Sequence, residues 1–206
     1  MFNDKFLLTH AVLEGRKTQT RRIVSQSLID KYGEWYDDVC SIAMPSGSTI
    51  ETLRGWLLRK HTRYRVGEVV AVAQSYQTLG YASNALDISP KDWRIVRGTL
   101  RKSSGWNNKM FVRAEACKNQ IRITDVRLEK LQEFSEDCCL KEGIIKKWHA
   151  PACKNYYYVP GVEVKSVKDV HDTPQEAFAH LINKVSKKDV WEENPYVFVY
   201  DFKLVK

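Results

Sequence analysis

The stretch Tyr196–Val205 has the sequence YVFVYDFKLV, and its pattern decides the expected fold. Its side chains alternate, so that one face carries Tyr196, Phe198, Tyr200, Phe202 and Leu204. Only burial in a sheet makes so much aromatic area on one face favourable. The stretch therefore predicts a strand packed against a hydrophobic core.

Working outward from this strand, apolar and β-branched runs predict further extended segments. They lie at 16–24, 69–73, 93–101, 110–116 and 121–128. The run 69–73 is apolar throughout and predicts a buried strand, while a change of phase within 121–128 predicts a β-bulge. Five or more strands with few helices predict an α+β fold, mainly β: a small mixed or antiparallel β-barrel decorated by short helices.

Helices are predicted where apolar residues recur at helical spacing or where capping residues stand. The expected segments are a short helix capped by Thr9 and closed by Gly15, then 49–60, then 131–143, and a helix opened by the capping box Thr173–Glu176. Residues 25–48 are predicted to be irregular. Residues 144–172 show few periodic signals and are interpreted as an insertion.

Composition limits the class of protein. The chain has 206 residues, a formal net charge of +8 and 11% aromatic residues, which excludes a disordered polymer. No run approaches the roughly 18 apolar residues of a membrane span, so we expect no membrane. We interpret the chain as one domain, 1–206, with insertions at about 25–62, 77–108 and 145–172.

The five cysteines and the first residues indicate a compartment. An odd number of cysteines, an adjacent pair at Cys138–Cys139 and no secretory signal after Met1 favour reduced thiols in the cytoplasm. The chain contains no C-x-x-C, and His149 with Cys153 matches no regular zinc spacing. We expect neither a metal nor another cofactor.

The densest polar motif is Gly15–Arg22, with four cations and two threonine hydroxyls in eight residues. Cations beside hydroxyls can hold a phosphate, or an amine of lowered pKa can activate a hydroxyl. The alternative is a solvated edge strand whose cations prevent edge-to-edge pairing. The motif lacks the glycines of a phosphate-binding loop.

This motif, GRKTQTRR, resembles the G-x-K-T-x-T-x-R signature of the ASCH domain family, a branch of the PUA-like β-barrel superfamily, in its phage-associated form. Three further blocks resemble the family in the same order: Tyr64–Val70, the segment Ile121–Ile144 and Trp191–Phe202. The resemblance implies a PUA-like barrel and a protein that binds RNA or nucleosides.

A small bacterial branch of that family hydrolyses the acyl amide of N4-acetylcytidine. Residue by residue, the resemblance places its lysine, threonine and glutamate at Lys17, Thr20 and Glu142. In that chemistry Lys17 takes the hydroxyl proton of Thr20, Thr20 attacks the acyl carbon, and Glu142 protonates the leaving amine. Arg21 or Arg22 then steadies a phosphate or an oxyanion.

Positive charge gathers at 16–22, 54–65 and 91–102, and tryptophans lie among these cations. Trp56 and Trp93 are as well explained by a core as by base stacking, whereas Trp106 beside Gly105 is the best candidate for an exposed stacking platform. We expect a nucleic-acid-binding surface formed by Arg16, Lys17, Arg21, Arg22, Arg63, Arg65 and Trp106.

The sequence is compatible with three functions. The first is a binding module for RNA, single-stranded nucleic acid or a modified nucleoside, with its cleft lined by the K-T-x-T-R-R motif. The second is an amidohydrolase acting on an acylated cytidine in the same cleft. The third is a protein-interaction module, because the insertions are long enough to dock a partner. The sequence leaves the oligomeric state and the choice between RNA and DNA open.

Overall fold

The computed structural model describes residues 2–41, 52–81, 98, 100–166 and 169–205. Its centre is a four-stranded antiparallel sheet whose strands follow in the order β1 (Gln19–Ile23), β6 (Tyr196–Val205), β3 (Gln120–Lys130) and β2 (Val69–Ala71). The sheet curls into a half-barrel, and helices surround it. The predicted α+β class and the strand at the C-terminal end of the sequence are confirmed.

Strand β6 separates two hydrophobic cores. Phe198, Tyr200 and Phe202 belong to one core, as the alternating pattern predicts. Val197 and Val199 belong to the other core and are fully buried, so the N-terminal half of the strand is covered on both faces. Two layers of helix and loop therefore enclose the sheet where the Gly15–Arg22 motif enters it.

The helices in the described part of the chain bracket the sheet. Their bounds are α1 Leu8–Leu13, α2 Gln26–Ser41, α3 Leu53–Lys60, α4 Tyr76–Tyr81, α5 Glu136–Lys141, α6 Pro174–Ser186 and α7 Val190–Glu193. The predicted cap of α6 is confirmed, because the hydroxyl of Thr173 accepts a hydrogen bond of 3.2 Å from the backbone N–H of Glu176. The predicted bulge in β3 is also confirmed, by a register shift between Ile123 and Asp125.

The irregular conformation predicted for 25–48 is wrong, because α2 occupies 16 residues of it. Leu28, Ile29, Tyr32 and Trp35 follow helical spacing and pack against the core that contains Phe198. The aromatic rings of Trp35 and Trp56 are stacked with centroids 6.3 Å apart. Apolar contact with α3 therefore stabilises a helix whose polar composition obscures it.

The stretch 144–172, interpreted as an insertion without periodic signal, contains a β-hairpin. Strand β4 (Ile145–His149) pairs antiparallel with β5 (Lys154–Tyr158). The chain turns through a 3₁₀ segment at Ala150–Ala152 and a left-handed Cys153 with φ of 48°. The turn escapes prediction because it contains neither glycine nor asparagine.

Other predicted strands need correction. Residues 110–116 form two 3₁₀ turns, Lys109–Phe111 and Ala114–Ala116, instead of a strand. Most of 93–101 lies outside the described residues, although Gly98 and Leu100 are helical. A strand forms at Val69–Ala71 as predicted, but it is at the edge of the sheet and Val69 is 41% exposed, so only its predicted burial is wrong.

The first helix differs from its prediction at one end. Thr9 lies inside α1 instead of capping it, and its hydroxyl donates to Asp4 Oδ1 at 2.5 Å. Gly15 ends the helix with φ of 74°, as expected. No helix in the part of the chain that the structure describes is long and apolar enough to span a membrane.

Candidate functional site

Two residues of the site, Lys17 and Glu142, lie at the ends of helices that a glycine terminates. Gly15 ends α1 in the left-handed region, and the backbone of Lys17 then donates to Ala11 at 2.9 Å, which turns the lysine inward. Glu142 caps α5, and Gly143 follows with φ of 105°. Both turns need conformations that glycine adopts without strain. They bring two residues far apart in sequence into one buried place.

Lys17 and Glu142 form a buried ion pair. Lys17 Nζ donates to Glu142 Oε2 at 2.5 Å and to the backbone carbonyl of Glu142 at 2.8 Å. The side chains are 1% and 5% exposed. Burial lowers the pKa of the Lys17 ammonium below its ordinary value, while the Glu142 carboxylate acts in the opposite direction.

Arg21 completes this cluster from strand β1. Its Nη1 donates to Glu142 Oε1 at 3.1 Å and to Gln19 Oε1 at 2.8 Å. Its guanidinium lies over the ring of Phe134, 4.5 Å from the centroid. Among the described residues, Nε and Nη2 of Arg21 have no hydrogen-bond partner, although Nη2 is 3.7 Å from a carboxylate oxygen of Glu129.

A second polar group extends the cluster across the sheet, and no motif in the sequence predicts it. Gln19 Nε2 donates to Asp201 Oδ1 at 2.5 Å, and Asp201 also pairs with Arg127. Burial alone lowers the pKa of Arg127, but hydrogen bonds to Asp201, Glu129 and Asp125 raise it overall. Neighbouring strands therefore hold the buried end of β1 in one register.

Thr20 stands apart from the ion pair. It pairs with Tyr200 in the register of β1 and β6, and alternation places its side chain on the opposite face of the strand from Arg21. Within the described part of the chain, no hydrogen bond joins Thr20 to Lys17 or Glu142. A small cavity of about 60 Å³ is nevertheless lined by all three residues.

A larger cavity of about 310 Å³ lies over the concave face of the half-barrel. Three of the side chains around it are cations, namely Arg22, Arg63 and Lys109, and Thr20 also lines it. Aromatic residues complete its wall: Phe2, Tyr64, Tyr200 and Phe202. The described lining residues include no carboxylate.

Two of the cations in this cavity are held in place. Lys109 Nζ donates to Asp4 Oδ1 at 2.7 Å and to the carbonyl of Phe2 at 2.5 Å. The backbone N–H of Arg63 donates to the hydroxyl of Tyr200 at 3.1 Å, while its exposed guanidinium lies 5.5 Å from the ring centre of Tyr64. The cavity is therefore a polar and aromatic site with positive charge at its rim.

Three residues of the expected binding surface lie elsewhere. Arg16 is exposed and pairs with Glu14 at 2.6 Å, and Arg65 is exposed on the turn before β2. Neither lines either of these two cavities. Trp106 is half-buried against the small core that contains Tyr76, so its ring is only partly open to solvent, and it lines neither of the two cavities.

The two other tryptophans that lie among the predicted cation clusters are Trp56 and Trp93. Trp56 is 6% exposed and belongs to the core, so of its two interpretations, core packing and base stacking, core packing is confirmed. Trp93 and most of the cations at 91–102 lie outside the described residues. The cavity residues that sequence reasoning missed are Phe2, Tyr64, Lys109 and Tyr200, which come from four separate segments.

Comparison with protein-family models, with curated proteins and with solved structures finds no match to this chain.

Proposed function

We propose that this protein binds single-stranded nucleic acid and receives one nucleoside in the cavity above the concave face of the half-barrel. The observation that carries the proposal is the composition of that cavity. Arg22 and Arg63 supply positive charge, Tyr64 and Phe2 supply aromatic surface, and the described lining contains no carboxylate. Cations that contact phosphate and aromatic rings that stack on bases are the two elements of single-strand binding.

Size supports one nucleoside as the occupant. The cavity of about 310 Å³ lies at the lower end of the volumes of small-molecule sites, which begin at about 300 Å³. Aromatic and apolar walls suit a base, and the hydroxyl of Thr20 offers a donor and an acceptor to its edge. Arg63, exposed at the rim, suits the phosphate that follows.

The family assignment belongs to the same proposal. We assign the chain to the ASCH domain family within the PUA-like superfamily, and two observations support it. The GRKTQTRR motif runs from Gly15, just after α1, into the edge strand β1. Lys17 and Glu142, which the resemblance pairs across the chain, are in contact.

The nucleoside site is tested with mononucleotides. Cytidine and cytidine 5′-monophosphate are titrated into wild type, Arg22→Gln and Arg63→Gln, with heat or NMR shifts as the measurement. We expect both variants to weaken binding of the monophosphate by about tenfold, in line with the strength of charge-assisted hydrogen bonds. Binding of cytidine should weaken much less. Lys165→Ala is the matched control, because Lys165 is 74% exposed and lines neither cavity. No detectable binding of either ligand, or variants indistinguishable from this control, would contradict the nucleoside site.

The second candidate function is hydrolysis of the acyl amide of an acylated cytidine. Two observations favour it: Lys17, Thr20 and Glu142 line the same small cavity, and burial lowers the pKa of Lys17. A neutral Lys17 amine would take the proton of Thr20, whose oxygen then bonds to the acyl carbon. Lys17 passes this proton to the Glu142 carboxylate, and Glu142 gives it to the amine as the C–N bond breaks. Water then releases the carboxylic acid from the threonine ester.

The contacts rank this function second, because Lys17 Nζ is engaged by Glu142 and the structure shows no hydrogen bond from it to Thr20. Incubation with N4-acetylcytidine, followed by chromatography of cytidine and acetate, tests the reaction. Hydrolysis that disappears in Thr20→Val and Lys17→Met establishes the enzyme. Absence of cytidine in the wild-type reaction would contradict the hydrolase.

A further inference from the structure

The hairpin formed by β4 and β5 has one face of cations and aromatic rings. The antiparallel register places Lys147 opposite Tyr156 and His149 opposite Lys154, and Tyr158 follows on the same face. Lys147, His149 and Lys154 are exposed, and both tyrosines are half-buried. We name these five residues the hairpin face.

Lysines and rings on the hairpin face are already in contact. Lys154 Nζ lies 4.7 Å from the ring centre of Tyr156, and Lys147 Nζ lies 5.7 Å from that of Tyr158. The imidazole of His149 meets Tyr156 edge to face, with ring centroids 5.6 Å apart. Alternating rings and cations along an extended pair of strands match the alternation of bases and phosphates along a single strand.

Charge on this face is unbalanced. Among described residues, the one carboxylate paired with a cation of the face is Asp172, which accepts from Lys154 at 2.8 Å. This hydrogen bond raises the pKa of Lys154, so the lysine keeps its charge. Lys147 lies opposite a tyrosine instead of an acid.

The hairpin is anchored to the rest of the molecule. Tyr157 points to the other face of β5, is 8% exposed and belongs to the core that contains Phe178. Backbone hydrogen bonds of 2.9 Å in both directions join Tyr157 to His171. A surface fixed in this way loses little conformational entropy when a ligand binds.

We propose that the hairpin face is a second contact surface for single-stranded nucleic acid, with bases stacked on Tyr156 and Tyr158 and phosphates held by Lys147 and Lys154. This inference rests on the proposed function and extends it from one nucleoside to a strand. Nucleic acid is favoured over an acidic protein because half-exposed rings lie between the cations. A single strand uses both the charges and the rings, because every base has a face that stacks on an aromatic side chain.

The test compares two ligands that separate the hairpin face from the cavity. A 12-nucleotide polyuridine RNA can reach both surfaces, whereas uridine 5′-monophosphate measures the cavity alone. The variants are Tyr156→Leu, which keeps apolar bulk but removes the stacking ring, and Lys147→Ala. Trp148→Leu is the matched control, because Trp148 is 62% exposed and points to the opposite face of β4.

We expect Tyr156→Leu to weaken binding of the RNA by about 5- to 100-fold, with unchanged affinity for the mononucleotide. Lys147→Ala should lower the slope of log K against log salt by about 0.7, the value for one phosphate contact on a single strand. Circular dichroism confirms that each variant is folded.

Other outcomes overturn the inference in distinguishable ways. If the RNA binds but Tyr156→Leu and Lys147→Ala behave like Trp148→Leu, the hairpin face is not a contact surface and the cavity proposal stands. If polyglutamate competes with the RNA and the variants weaken both equally, the face is a general polyanion surface. If neither RNA nor mononucleotide binds the wild type, the proposed function itself fails.

Discussion

Lys17 Nζ donates to Glu142 Oε2 at 2.5 Å, and this ion pair joins the residue that leads into β1 to the residue that caps α5, 125 positions later. The other oxygen of this carboxylate, Oε1, accepts a hydrogen bond from Arg21 Nη1. One buried acid is thus shared by two buried cations. Burial removes water from all three charges, so the cluster stabilises the fold only while each charge keeps its partner.

Removal of the shared carboxylate should destabilise the fold strongly. We expect Glu142→Ala to lower the free energy of unfolding by about 3–5 kcal/mol, because Lys17 remains buried without a countercharge and Arg21 keeps only the longer contact of 3.7 Å with Glu129. Urea denaturation followed by circular dichroism measures this. Glu14→Gln is the control, because it breaks an exposed pair with Arg16 and should change the midpoint little. A Glu142 variant as stable as this control would contradict a structural role for the pair.

Gly161 should tolerate no side chain. It has φ of 74°, and a Cβ there would lie 2.5 Å from the carbonyl oxygen of Lys5 and 3.0 Å from Cα of Phe6. Gly15 has the same φ but open space around it. We expect Gly15→Ala to cost about 1–2 kcal/mol from backbone strain alone and Gly161→Ala clearly more. Equal thermal midpoints for the two variants would show that the segment at Gly161 is not packed against Lys5 and Phe6.

The histidine pair should make stability fall in mild acid. His171 Nε2 and His180 Nδ1 are 3.0 Å apart, and burial lowers the pKa of both below the ordinary value of 6.5. Just below pH 6.5 the histidines of the unfolded chain therefore bind more protons than those of the folded protein. The stabilising contribution of the neutral pair is complete above that pH and is lost as the pH falls. Nearby charges on Asp169, Glu176 and Lys184 modify the two values.

Unfolding in urea at several pH values between 5 and 7.5 measures this dependence. The variant His171→Gln should show a shallower loss of stability on acidification than wild type. His10→Gln is the control, since His10 is exposed on α1 and pairs with Glu14. A wild-type protein whose stability rises as the pH falls from 7 to 5 would contradict the environment assigned to the pair.

Thiol reactivity should separate two exposed cysteines from two buried ones. Cys40 and Cys153 are exposed, whereas Cys117 and Cys139 are buried. Burial also raises the pKa of Cys139 to about 12, which leaves almost no thiolate at pH 8. Maleimide labelling and peptide mass spectrometry should show fast modification of Cys40 and Cys153, and modification of Cys139 only after unfolding. Labelling of Cys139 as fast as Cys153 in the native protein would contradict its position in the core.

Several elements were predictable because local pattern and final structure agree. The alternation of Tyr196–Val205, the phase change in β3 and the capping residue Thr173 each specify their own conformation, and each is confirmed. Contact between Lys17 and Glu142 was expected only through a resemblance, since no local rule joins residues 125 positions apart.

Other elements depend on partners that the sequence does not reveal locally. Helix α2 is stabilised by packing of Tyr32 and Trp35 against Trp56 on another helix. The hairpin of β4 and β5 turns at Cys153, which adopts a left-handed conformation without a glycine. The larger cavity draws its wall from chain segments at Phe2, Tyr64, Lys109 and Tyr200, so only the tertiary fold assembles it.

The central claim, that single-stranded nucleic acid binds at the cavity, is tested most directly by one titration. Fluorescent 12-nucleotide RNA is titrated with wild type and with the Arg22→Gln/Arg63→Gln double variant at salt concentrations from 50 to 300 mM, with Lys165→Ala as the control. Binding of wild type should weaken linearly in log K against log salt, and the double variant should bind more weakly with a slope smaller by about 1.4, or 0.7 for each lost phosphate contact. Absence of binding by wild type at 50 mM salt, or a double variant that matches Lys165→Ala in affinity and slope, would contradict the account.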